Sequence, residues 1–118
     1  MRILVCGDRK WYDYSLILRT IRGIGGEPHV IIDGCASGAD VMGFRVALTL
    51  GWKYERYPAL WNEYGKAAGP IRNQQMIDEG KPELILAFHD DITRSKGTKD
   101  MIQRGINAGI KTRIVKHE

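Results

Sequence analysis

Three runs of consecutive apolar residues, Ile3-Leu4-Val5, Val30-Ile31-Ile32 and Leu84-Ile85-Leu86, most constrain what this chain can fold into. A strand with one wet face alternates apolar and polar residues, whereas a strand buried on both faces reads as an unbroken apolar run. The second pattern belongs to a parallel sheet covered by helices. The intervening segments supply those helices. Leu16, Ile17, Ile21 and Ile24 recur at helical spacing after a capping candidate, Asp13 or Ser15, and Gly23, Gly25 and Gly26 stop that helix. A second apolar helical pattern covers 41–50 and ends at Gly51. Residues 71–79 read as a short helix with Pro70 at its first turn, and residues 98–107 as another. Strands are predicted over 2–6, 30–33, 52–57, 84–88 and 112–115. Strands alternating with helices imply right-handed crossovers. The expectation is an α/β fold: a single Rossmann-like three-layer sandwich over 1–118, with a mainly parallel sheet of about five strands.

The turns that lead from strand to helix carry the chemistry. Small residues after a strand leave backbone N–H groups free at the helix start, where they attract anions such as phosphate. Ser95-Lys96-Gly97-Thr98-Lys99-Asp100 is such a turn, and Gly34-Cys35-Ala36-Ser37-Gly38-Ala39-Asp40 is a second; Gly7-Asp8-Arg9-Lys10 follows the first strand. In a parallel sheet all of them open at the carboxyl edge, where open α/β folds bind ligands. Ser37 and Gly38 are small enough for the backbone to approach a phosphate. Asp40 either caps its helix or accepts from a ribose hydroxyl. Arg72 and Asn73, just after Gly69-Pro70, reach back toward the same edge, where a guanidinium can clamp a phosphate; the bland alternative is a surface Arg paired with Asp78 or Glu79. Residues 59–70 show no periodicity and read as a long loop. Trp61 and Tyr64 within it either stack on a base or plug the core, and Trp11 and Tyr12 are further aromatic candidates. His89 ends the fourth predicted strand and is read as structural; Asp90-Asp91 reads as an exposed acidic turn before a Mg²⁺ site.

Composition narrows the class. With 43% hydrophobic and 27% charged residues the chain is of ordinary globular composition. No apolar stretch approaches the roughly 20 residues of a membrane span, and the first residues are too short a run for a signal peptide. A cytoplasmic protein without a membrane partner is expected. Cys6 and Cys35 lack a His or Cys partner at metal spacing and read as inert thiols, so neither metal nor cofactor is expected. The net charge of +4 suits an anionic ligand without the dense basic run of a nucleic-acid binder.

Gly34-Cys35-Ala36-Ser37-Gly38-Ala39-Asp40, then Tyr57-Pro58-Ala59-Leu60-Trp61 with Tyr64-Gly65-Lys66-Ala67-Ala68-Gly69-Pro70-Ile71-Arg72-Asn73-Gln74-Gln75-Met76, then Ala87-Phe88 and Lys96-Gly97-Thr98, resemble the YspA-related branch of the SLOG superfamily. That superfamily includes the LOG phosphoribohydrolases and the Smf/DprA DNA-processing proteins. The resemblance covers essentially the whole chain and implies a Rossmann-like domain holding a nucleotide or nucleotide-derived ligand at the carboxyl edge. LOG enzymes release a base from a nucleoside monophosphate with an Arg-bearing helix and a Pro-Gly-Gly-x-Gly-Thr-x-x-Glu turn. Arg72 matches the Arg, and Gly97-Thr98 the Gly-Thr. Thr93, Arg94, Ser95 and Lys96 replace the Pro-Gly-Gly portion, and Met101 stands where the carboxylate belongs. Asp100 is one residue early, a rotation of about 100° around a helix.

These matches rank three readings. The first is a sensor or carrier of a nucleotide-like small molecule, with Gly7, Asp8, Arg9, Gly34, Ser37, Gly38, Ala39, Asp40, Trp61, Arg72, Asn73, Lys96, Gly97 and Thr98 around the ligand. The second is a LOG-like nucleotide N-glycosidase, with Asp100 or Asp40 as the carboxylate and Arg72 on the phosphate. Single-stranded DNA binding in the manner of DprA comes third, because Arg9, Lys10, Arg19, Arg22 and Lys66 are scattered. The LOG resemblance also implies pairing through helices, hence a homo-oligomer. Arg72→Ala and Gly97→Val are each expected to weaken ligand binding with little effect on stability.

Overall fold

In the computed structural model, which describes residues 1–117, the three apolar runs become the middle of one sheet. Strands β1 (Arg2–Gly7), β2 (Val30–Asp33), β3 (Tyr54–Arg56), β4 (Leu84–Phe88) and β5 (Lys111–Val115) lie in the order β3-β2-β1-β4-β5. Every neighbouring pair is parallel. The expected Rossmann-like α/β sandwich is therefore the architecture observed, with a sheet that is parallel throughout.

Side chains along each central strand divide between the two faces. Ile3, Val5, Ile31, Leu84, Leu86 and Phe88 meet Ile17 and Ile21 of α1 (Tyr14–Ile24) and Val46 and Ala47 of α2 (Ala39–Leu50). On the opposite face Leu4, Cys6, Ile32, Ile85 and Ala87 meet Met76 and Ile77, which follow α4 (Ala68–Gln75), and Met101 and Ile102 of α5 (Lys96–Asn107). Each fully buried aliphatic side chain contributes roughly 1.5–3 kcal/mol, so the two dry faces account for the rigidity of the sheet. Asp13 caps α1 by accepting from the Leu16 amide at 3.0 Å; Ser15 lies inside the helix.

Several boundaries differ from the sequence expectation. The predicted loop over 59–70 is largely helical: α3 (Trp61–Tyr64) is followed by a 3-10 turn, Gly65–Ala67, and by α4, which starts at Ala68 rather than at 71. One-turn helices are too short to show a period, and Pro70 is tolerated because it lies in the first turn of α4, where an N–H has no helical partner. Beyond α4 the predicted helix over 71–79 widens into a π-type turn, Met76–Gly80. α5 begins at Lys96, two residues before the predicted start, because the Ser95 hydroxyl accepts from the Thr98 amide at 3.1 Å and sets the cap. No helix among the described residues is long and apolar enough to cross a membrane.

Candidate functional site

The strand order places a switch point beside β1, since the chain runs to β2 on one side while β4 lies on the other. Crevices form at the carboxyl ends of strands at such points. A hollow of about 360 Å³ opens there, walled by Cys6 to Lys10 after β1, by Ala36 and Asp40 after β2, by His89 after β4, by Arg72, Asn73 and Met76 of the α4 region, and by Arg94 to Thr98 and Met101 at the start of α5. The turns after β1 and β2 are tied together: the Asp8 carbonyl accepts from the Ala39 amide at 3.1 Å. Gly38 makes that possible. Its φ is +73°, and a Cβ there would collide with the Asp8 carbonyl oxygen and with Arg9. Gly97 differs, because a Cβ at its position meets nothing and would enter open space.

Of the residues singled out in the sequence, Gly7, Asp8, Arg9, Asp40, Arg72, Asn73, Lys96, Gly97 and Thr98 line this hollow. Gly34 and Trp61 line an adjoining lobe of about 350 Å³, which shares Arg9, Ala36 and Arg72 with the first. Ser37 is exposed, Gly38 serves the contact with Asp8 and Arg9, and Ala39 is buried in the core; none of the three borders either cavity. Asp100 also lies outside both. It accepts from Asn73 at 2.9 Å and from Arg104 at 2.8 Å, and these bonds, working against partial burial that would raise it, hold its carboxyl below the usual range. Met101, one residue on, is the side chain that borders the hollow.

Charge in the hollow is mostly positive, with Arg9, Lys10, Arg72, Arg94 and Lys96 set against Asp8 and Asp40. Asp40 is 5% exposed, and its carboxylate accepts from the Gly34 amide at 2.9 Å and the Ala36 amide at 3.4 Å, so it pins the turn after β2 rather than capping its own helix. Burial, then the neighbouring charge of Asp33, pushes Asp40 up to about 7, opposed by Arg72. Asp33 is fully buried and also raised by burial, despite a two-point ion pair with Arg56 at 3.1 Å on each oxygen and a hydrogen bond from the Cys35 amide.

Arg72 is not a free surface cation. Its guanidinium donates to the Gly34 carbonyl and, at 3.0 Å, to Asn73, and it crosses Gly34 where a Cβ would stand 2.5 Å from its nitrogen. The expectation that Arg72→Ala leaves stability unchanged is therefore revised, because the substitution would strip a bond from the turn and a countercharge from Asp40.

Four polar side chains that border the hollow stand outside the expected ligand set: Lys10, Arg94 and Ser95, which the sequence places in its turns without a role, and His89, which it reads as structural. His89 is the most informative. It is 7% exposed, and its Nδ1 accepts from the Asp91 amide at 3.0 Å, which leaves the ring proton on Nε2. Strand adjacency would have revealed it, since β4 pairs with β1 through Gly7 and Phe88. Of the aromatic candidates, Trp11 is buried against Phe88 and Tyr12 is exposed away from the hollow. A larger groove of about 680 Å³ runs along the outside of α4, but its walls mix Asp78 and Glu79 with Arg72 and Arg104 and hold no surplus of positive charge. Cys6 borders the hollow, but burial pushes its thiol up, so it stands there as a neutral thiol.

Comparison with known proteins adds a family to this geometry. The chain is 32% identical over 117 residues to the Gene 61 protein of Mycobacterium phage D29, an alignment that covers 92% of this chain and 91% of the phage protein. The chain belongs to the Gene 61 family. No established family model matches it. The fold of this chain is also that of DNA processing protein A (DprA) from Streptococcus pneumoniae, which superposes with a TM-score of 0.78 over 99% of this chain at 19% identity. The chain spans 50% of the length of that DprA structure. At this identity the likeness is one of fold, a parallel Rossmann-like α/β sandwich.

Proposed function

We propose that this Gene 61 family member binds a nucleotide or nucleotide-derived ligand in the hollow, as a sensor or carrier, and that its finer placement is the YspA-related branch. One observation carries the reading: turns far apart in the chain, at residues 7–10, 36–40 and 94–98, converge with Arg72 on one hollow where five cations outnumber two carboxylates. An anion there gains charge-assisted hydrogen bonds from Arg72 and from the first turn of α5. The Nε2–H of His89 adds a neutral donor.

The binding reading stands ahead of hydrolysis because Asp100 is engaged by Asn73 and Arg104 and lies outside the hollow, apolar Met101 borders it instead, and Asp40, the other candidate carboxylate, is taken up by the Gly34 and Ala36 amides. A DNA-binding reading draws support from the DprA fold and from the exposed Arg9, Lys10, Arg94 and Lys96 on the rim. A thermal-shift screen against nucleoside monophosphates, cyclic nucleotides, NAD, ADP-ribose and a single-stranded oligonucleotide tests all three. A ligand that binds only the native state raises its melting temperature with occupancy. The expected result is stabilisation by a mononucleotide-sized phosphate ester without release of free base. No shift with any small phosphate ester at millimolar concentration would remove the proposal, and a shift with the oligonucleotide alone would replace it.

A further inference from the structure

We infer that the adjoining lobe is a base-stacking subsite built on Trp61, so that the ligand is a nucleotide lying across Arg72 with its phosphate near α5; this rests on the reading just given. The two lobes share Arg9, Ala36 and Arg72 as a common wall, so a molecule in one abuts the other. Alone, each is at the lower end of the roughly 300–1,000 Å³ that small-molecule sites occupy; together they match a ligand with two chemically distinct ends.

The lobes differ in the chemistry they offer. Beyond the shared wall, the second lobe is bordered by Pro58, Ala59, Cys35 and Trp61, with no carboxylate among its lining residues. Burial holds the Cys35 thiol above its usual range, so it borders the lobe as a neutral, polarisable surface. Trp61 is 48% exposed, an unusual state for the largest apolar side chain. It is nevertheless anchored. Gly69 of α4 leaves room for the far edge of the indole, and a Cβ there would stand 3.3 Å from the ring. An exposed indole fixed along one edge, in a cavity that Arg72 also lines, suits the planar face of a nucleobase. Stacking of a base on an aromatic side chain is sequence-tolerant, because every base has such a face.

The test compares ligands with and without the base. The full chain is titrated calorimetrically with adenosine 5′-monophosphate, uridine 5′-monophosphate and ribose 5-phosphate. At least one nucleotide is expected to bind more tightly than ribose 5-phosphate. Trp61→Ala should weaken that nucleotide by about 5- to 100-fold, leave ribose 5-phosphate unchanged, and be partly rescued by Trp61→Phe. Equal affinity for all three ligands, or equal losses for nucleotide and ribose 5-phosphate in Trp61→Ala, would overturn the subsite and leave the phosphate hollow standing. Failure of all three to bind the wild-type chain would instead defeat the reading on which the subsite rests. A short oligonucleotide bound more tightly than any monophosphate, with the gain lost in Trp61→Ala, would reassign the platform to a strand.

Discussion

Replacing Asp40 by Asn isolates the electrostatic cost of the buried carboxylate. Asn keeps an oxygen for the Gly34 and Ala36 amides while removing the charge. Burial raises Asp40 from 3.8 to about 7. Below 3.8 the group is protonated in both folded and unfolded chains and costs nothing. Between those values the folded chain holds the proton and the unfolded chain does not, so stability falls as pH rises and levels off above about 7. At about 1.4 kcal/mol per pH unit, tapering as the folded group itself begins to ionise near 7, the wild-type chain should lose about 2 kcal/mol relative to Asp40→Asn between pH 5 and pH 7. His117, remote from Asp40, titrates alike in both chains and cancels; Asp33 is coupled to Asp40 through its charge, so the difference reports the pair, with Asp40 the main contributor. Urea unfolding of the two proteins at pH 5, 6, 7 and 8 measures it. Asp40→Asn should be the more stable protein, by a margin that widens through pH 7 and levels off by pH 8. A margin independent of pH would show that Asp40 titrates at an ordinary value, and the account of the turn after β2 would fail.

Other perturbations read the same framework. Gly38→Ala should destabilise by several kcal/mol, because its Cβ meets the Asp8 carbonyl at a positive φ, whereas Gly97→Val should leave the melting temperature nearly unchanged and weaken nucleotide binding; the opposite ranking in a melting assay would contradict the packing described. Asp33→Ala leaves Arg56 without its partner and should cost about 3–5 kcal/mol in urea unfolding, and a loss under 1 kcal/mol would show that the pair is solvated. His117 has a carboxylate on each ring nitrogen, Asp90 at 3.0 Å and Asp13 at 3.2 Å, and stacks on Trp11 at 4.1 Å. Hydrogen bonding to Asp90 foremost raises its value, so its contribution is fully present below about 6.5 and is lost as pH rises through the raised folded value. Amide exchange near Trp11 should therefore quicken with pH beyond its intrinsic trend, and His117→Gln should abolish the excess.

The fold was legible because its signal is local and redundant. Ile3-Leu4-Val5 reads as a doubly buried strand whatever surrounds it, and the glycines after it can only be turns. Much of the site was legible for the same reason, since any parallel sheet brings residues 7–10, 34–40 and 95–98 to one edge. What escaped depends on neighbours that the sequence does not order. His89 becomes a hollow residue only because β4 pairs with β1, and Arg94 only because Ser95 starts α5 early. Asp40 has a similar history. Read alone, an Asp at a helix start is a cap or a ribose acceptor; folded, it is a buried acceptor for the Gly34 and Ala36 amides, facing cations across a hollow. On the proposed reading, that position also couples Asp40 to a bound phosphate. A phosphate beside Asp40 repels its ionised form, so binding should draw in a proton near pH 7, and nucleotide affinity should fall as pH rises from 6 to 8. Asp40→Asn should bind more tightly at pH 8 and lose that slope, provided the phosphate secondary ionisation is matched by running a sulfonate analogue in parallel. An unchanged slope in Asp40→Asn would place the phosphate away from Asp40 and move the ligand toward α5.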